Sequence, residues 1–229
     1  RVVGKTEVAL YRLAYSMCML VQLFISGMNS ALTPWMYSKI KKGDIRSMRK
    51  VLQLLSVVVV GIAVALMLIS PELVLIFGSP KYREAVYVIP PVAASVFFIF
   101  IYNILSMPQF YYEKTQFLMA ASMAAAGANV VLNFIFIRLF GYIAAGYTTL
   151  ACYMLYSVGH YIVSKRILVN EGIQENLMNP GFLLACSVFL IGASIICNLI
   201  FPYRILRYAI LLASAGLVFW KKELLLKTM

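Results

Sequence analysis

Apolar residues run along this chain in blocks much longer than one helix face or one strand needs. Seven blocks, roughly 8 to 38, 51 to 70, 85 to 107, 116 to 137, 142 to 164, 181 to 201 and 205 to 220, are separated by stretches carrying Lys, Arg, Pro or Gly. About 20 continuously apolar residues cross the hydrocarbon of a bilayer as a helix, whereas a membrane barrel alternates every second residue. The pattern predicts an all-α membrane protein of about seven transmembrane helices. Its first five spans form a bundle over 1–166, and a carboxyl-terminal helix pair occupies 167–229.

Polar positions inside the blocks are not scattered. At 100° per residue, Arg12, Tyr15, Ser16, Gln22, Ser26, Asn29, Ser30 and Thr33 fall within about 140° of one another on the first span. Small polar residues there are expected to hydrogen-bond between helices. Two readings stand for Arg12: it faces a hydrated pathway, where its planar fork suits phosphate, or it snorkels to the outer surface. On the fourth span Thr115, Ser122, Asn129 and Asn133 line up, and the asparagine pair predicts a cross-link to a neighbouring helix. On the fifth, Tyr142, Gly146, Thr149, Tyr153, Tyr156, Ser157, His160 and Ser164 share a face, with Tyr153 and Tyr156 as candidate sugar-stacking rings. His160 is either an interfacial residue or a proton carrier.

Composition removes the soluble alternative: 63% of residues are hydrophobic and 12% charged, too few charges to wet a globule of this size. Eight acids and one histidine leave little material for a conventional hydrolase or metalloenzyme. No catalytic residue, metal site or cofactor is expected. The cysteines, Cys18, Cys152, Cys186 and Cys197, all sit in apolar stretches without metal-ligand spacing and read as packing residues. The aspartates and glutamates avoid the middle of every predicted span, so a transporter driven through a buried carboxylate would draw it from elsewhere or use another device.

The net charge of +12 is a topology signal rather than a nucleic-acid footprint, because the basic residues cluster beside apolar blocks. No nucleic-acid partner is expected. Lys39, Lys41, Lys42, Arg46, Arg49 and Lys50 against Asp44 place the first loop in the cytoplasm, and alternation then places Lys114, Lys165, Arg166, Lys221, Lys222, Lys227 and the carboxyl terminus there too. Arg204 and Arg207 fall on the wrong side, which predicts an irregular or tilted last hairpin. The basic loop also suits anionic lipid headgroups or a departing pyrophosphate. Pro34, Pro90, Pro91 and Pro108 are expected to bend their helices.

Three stretches carry a family likeness: ELVLIFGSPKYREAVYVIPPV from Glu72 to Val92, ANVVLNFIFIRLFGYIAAGYTTLACY from Ala128 to Tyr153, and NSALTPWMYSKIKKGD from Asn29 to Asp44. They resemble bacterial oligosaccharide and polysaccharide flippases of the multidrug, oligosaccharidyl-lipid and polysaccharide exporter superfamily. The resemblance implies the carboxyl-terminal half of a protein of twelve to fourteen helices, with two bundles around a central cavity and the amino-terminal half missing. It also implies transport of undecaprenyl-pyrophosphate-linked oligosaccharide from the inner to the outer leaflet of the bacterial inner membrane. The glycan would go to O-antigen, capsule or exopolysaccharide, with membrane lipids, a polysaccharide polymerase and glycosyltransferases as partners. In related lipid II flippases an arginine of the similar helix helps bind pyrophosphate, which points to Arg12, while Gln22, Asn29, Tyr153 and Tyr156 are the candidates for sugar contact. Cation-coupled drug export and a membrane enzyme of polysaccharide assembly are the alternative readings, the latter disfavoured by the shortness of every predicted outer loop.

Overall fold

The computed structural model describes residues 4–78 and 80–220. Seven α-helices appear where the apolar blocks predict them: α1 Lys5–Lys41, α2 Ile45–Phe77, α3 Ile89–Tyr111, α4 Gln116–Phe140, α5 Ala144–Asn170, α6 Pro180–Ile200 and α7 Arg204–Trp220, with a 3-10 segment at Pro80–Tyr87 between α2 and α3. Among the described residues α1, α2, α3, α4 and α6 are long and apolar enough to cross a membrane. The chain is an all-α membrane protein.

Local chemistry sets the helix boundaries. The Glu7 carboxylate accepts a hydrogen bond from the Gly4 amide and so occupies the positive end of α1. At the other end Gly43 takes φ 68°, a conformation that glycine adopts without penalty, and Asp44 caps α2 by accepting from the Ser47 amide at 3.3 Å. Lys39 locks this hairpin, with Nζ 2.6 Å from Asp44 Oδ2 and 2.7 Å from Ser47 Oγ. Those bonds hold the Asp44 carboxyl below its ordinary range, Lys39 being the largest cause. Gly141, at φ 75°, stops α4, and Asn179 starts α6 by accepting from the Gly181 amide at 2.9 Å.

The prolines divide into two groups. Pro34 and Pro108 lie inside helices, as does Pro71. Pro90 and Pro91 correct the expectation of a bend: α3 begins only at Ile89, so they occupy its first turn, where a missing amide hydrogen leaves no bond unmade.

The core is organised around α3. Every residue from Val88 to Ile101 is buried, and α1, α2, α5 and α6 all pack against this helix. Its closest neighbour is α5, where Gly146 permits the approach: a Cβ there would stand 2.8 Å from Pro91 Cγ and 3.2 Å from the Val88 carbonyl oxygen. By contrast α4 has no buried residue and rests on α5 alone among the helices it contacts substantially.

The last hairpin resolves the misplaced arginines. Arg207 is buried and points at α2, where both terminal nitrogens meet the Glu72 carboxylate; Arg204 is exposed beside the Tyr208 ring. α2 continues beyond the predicted span, through Pro71 to Phe77, and so carries Glu72 in its last turns, away from the helix middle. The arginine supplies the counter-charge that makes the position tolerable. The basic residues Lys221, Lys222 and Lys227, and with them the expected cytoplasmic carboxyl terminus, lie outside the described residues.

Candidate functional site

A cleft of about 540 Å³ opens between α1 and α4, with α3 and α5 behind it. Tyr11 and Tyr15 come from α1, Tyr102 from α3, Tyr153 and Tyr156 from α5, and Ser122, Asn129 and a run of alanines from α4. Among the described residues no charged side chain lines it. The rings form two groups: Tyr11 and Tyr15 stack at 5.9 Å, while Tyr102 lies parallel to Tyr153 at 6.2 Å and edge-on to Tyr156 at 4.7 Å. One turn separates Tyr11 from Tyr15, and another nearly separates Tyr153 from Tyr156, so helical periodicity alone aims each pair in one direction.

Hydroxyl groups hold the walls together. Tyr11 Oη is 3.0 Å from Thr149 Oγ1, which also donates to the Ala145 carbonyl, and Tyr156 Oη is 2.8 Å from Ser122 Oγ. The predicted asparagine cross-link is present: Asn133 Nδ2 donates to Asn129 Oδ1 at 2.8 Å, Thr148 Oγ1 donates to Asn133 Oδ1 at 2.6 Å, and Asn129 Nδ2 lies 3.6 Å from Cys152 Sγ. The polar stripe of α4 therefore zips this helix to α5 along one edge of the cleft.

Of the candidate substrate-binding residues Arg12, Gln22, Asn29, Tyr153 and Tyr156, the cleft gathers Tyr153 and Tyr156, and it adds Tyr15, Ser122, Asn129 and Thr149 from the predicted polar faces. Arg12 is exposed, offset by about 60° around α1 from Tyr15. Gln22 is half-buried with an unpartnered Oε1, and Asn29 is buried with both amide atoms unpartnered among the described residues; neither lines the cleft. The small polar residues of α1 also behave differently from expectation. Ser16 and Ser30 donate to the carbonyl four residues back, at 2.8 and 3.0 Å, so their hydroxyls are satisfied within their own helix, whereas Thr33 Oγ1 bonds the Asn29 carbonyl at 2.8 Å and also reaches α3, 3.7 Å from Met107 Sδ. Tyr11 and Tyr102 were not foreseen. Tyr11 lies at the edge of the polar arc, and Tyr102, followed by Asn103, sits in a mainly apolar block with no polar stripe to mark it.

Outside the membrane-spanning segments, Tyr142 reaches back to Glu84 of the 3-10 segment, 3.3 Å from its carbonyl oxygen and 3.4 Å from its carboxylate. Burial, followed by the neighbouring carboxylate, pushes this phenol up to about 12. It remains a neutral donor that ties the start of α5 to the approach of α3.

Residues 1–135 match the MatE family. The chain belongs to the MatE family. Neither a curated protein nor a solved structure matches it. MatE proteins are transporters of the multidrug, oligosaccharidyl-lipid and polysaccharide exporter superfamily, so the helices of this chain belong to a multi-pass membrane transporter. Family membership covers α1, α2, α3 and most of α4, the segment supplying Tyr11, Tyr15, Tyr102, Ser122 and Asn129 to the cleft.

Proposed function

We propose that this MatE chain works in a flippase that carries undecaprenyl-pyrophosphate-linked oligosaccharide from the inner to the outer leaflet of the bacterial inner membrane. The observation that supports it is the cleft lining: five tyrosines with Ser122, Asn129 and Thr149, and no charge. Sugar rings bury their C–H faces on aromatic rings and exchange hydroxyl bonds with phenols, serines and amides, which is the chemistry this lining offers. Alternating access moves the headgroup while the polyprenyl tail stays in lipid. In this reading Tyr102, Tyr153 and Tyr156 hold the glycan. Arg12, exposed on α1 beside the two tyrosines of that helix, offsets the pyrophosphate charge at the margin of the cleft. A polysaccharide polymerase and glycosyltransferases would act after and before it.

The same rings favour a second reading, export of a cationic drug, because tyrosine faces attract cations. One experiment separates them. In cells lacking their own flippase, the complete protein carrying both Tyr102→Ala and Tyr153→Ala is expected to lose glycan export at unchanged abundance and to leave drug resistance untouched. Full export by that variant overturns the flippase reading, and a change confined to drug resistance replaces it with the second.

A further inference from the structure

Moving a substrate in one direction requires a coupled event, and in this cleft no carboxylate is at hand to bind a coupling ion. Behind its tyrosines stands the one histidine of the sequence. His160 is fully buried, with its ring 4.5 Å from Tyr156 and 5.9 Å from Tyr102, centroid to centroid, and Phe117 of α4 packs edge-on at 5.3 Å. Its Nδ1 lies 2.8 Å from Nε2 of Gln109, an α3 side chain that is also fully buried. Among the described residues, three polar atoms of this region have no partner: His160 Nε2, Gln109 Oε1 and, one turn further along α5, Ser164 Oγ.

An imidazole with a spare nitrogen beside an amide with a spare oxygen can accommodate one more proton. With Gln109 Nε2 donating, Nδ1 accepts and the neutral ring carries its hydrogen on Nε2. Rotation of the carboxamide exchanges Oε1 for Nε2 without moving either backbone, and Nδ1–H then donates to Oε1. The two side chains can thus serve both the neutral ring and the imidazolium. The step balances: hydronium gives up a proton and becomes water, an N–H bond forms at the Nδ1 lone pair that Gln109 Nε2 vacates when the carboxamide rotates, and no electron is transferred.

What the seated structure withholds is water. The titratable groups facing the ring are the phenols of Tyr102 from α3 and Tyr156 from α5; α4 contributes Phe117. The Lys114–Glu171 ion pair, at 2.7 Å, ties the α3–α4 turn to the end of α5 and neutralises its own charges. An imidazolium here would lack both counter-charge and hydration while Phe117 is in place. Phe117 is seated on a bare backbone, since a Cβ on Gly159 would come within 3.2 Å of its Cζ. Its helix is also the one with no buried residue. Phe117 comes from α4 and His160 from α5, so parting these two helices uncovers the ring.

We propose that His160 is a proton-binding site of the transport cycle, gated by Phe117: water and a proton reach the imidazole when α4 parts from α5 and are expelled when Phe117 reseats. The proposal rests on the transport reading but not on the identity of the substrate. Diethylpyrocarbonate, which acylates neutral imidazole, tests it in the full-length protein with His160→Gln as the blank. Labelling of His160 is expected to be slow in the wild type and faster in Phe117→Ala. In Gly159→Ala, whose added methyl group lifts Phe117 while keeping the ring, it should also be faster. In proteoliposomes His160→Gln is expected to lose the stimulation of transport by an imposed pH gradient while retaining substrate binding. Equal labelling in all three proteins, or undiminished gradient stimulation in His160→Gln, overturns the proposal. If glycan export fails but labelling still follows Phe117, the flippase reading falls and the proton site stands.

Discussion

Arg207 on α7 places its two terminal nitrogens 2.9 Å from the two carboxylate oxygens of Glu72 on α2. Nη1 also donates to the Leu68 carbonyl at 2.7 Å, and Tyr208 Oη donates to Glu72 at 2.9 Å. A bidentate pair of this kind has its charges largely desolvated, and deleting one partner strands the other. The arginine side chain is 4% exposed and the carboxylate 25%, so the cost should fall mainly on variants that leave Arg207 behind.

Glu72→Leu is expected to lower stability by about 3 kcal/mol, and the double variant Glu72→Leu, Arg207→Leu to recover much of that loss. Thermal unfolding of the detergent-solubilised protein in a double-mutant cycle measures both. Losses that simply add would show that the pair does not bind α7 to α2.

Gly146→Val should push α5 away from α3, because the new side chain meets Pro91 and the Val88 carbonyl where even a methyl group is crowded. Overpacking of this kind costs about 1–3 kcal/mol. The same unfolding experiment gives the number, with Gly127→Ala as control because nothing stands within 4 Å of that position.

Asn133→Leu removes the acceptor of Thr148 and the donor to Asn129. Interhelical bonds of this type contribute about 0.6 to 2 kcal/mol. The expected result is a modest loss of stability with faster hydrogen exchange confined to α4. Exchange rising equally in α3 would mean that α4 does not open independently.

The Lys39–Asp44 lock has a defined pH sense. The Asp44 carboxyl is held below its unfolded value, so its contribution is complete above roughly pH 4 and is lost as pH falls through the lower, folded value. Hydrogen exchange at residues 43–47 should accelerate on acidification in the wild type. In Asp44→Asn that pH step should be absent, and a persisting step assigns it to another group.

The seven helices were legible because a block of apolar residues long enough to cross a bilayer has few other structures open to it. The α4–α5 zipper was legible for a related reason: polar residues recurring every three or four positions in an apolar helix need partners on one side. Arg207 was not. Its partner, Glu72, lies 135 positions away and past a proline that makes α2 look finished, so neither residue signals the other along the chain. The site was half visible for a similar reason: Tyr153 and Tyr156 declare themselves by spacing, while Tyr102 joins them only because α3 and α5 pack closely. The hydroxyls of Ser16 and Ser30 misled in the opposite direction, since a stripe of polar letters cannot reveal that each one bonds its own backbone.

The two extremes of exposure, α3 and α4, place different demands on sequence change. Enclosed by its neighbours, α3 should accept hydrophobic replacements only when they match the volume they displace. On α4, whose outer face meets no other described helix, any greasy residue of any size should be tolerated and an ionised one refused. A library scanning both helices would separate shape tolerance from polarity tolerance within one molecule.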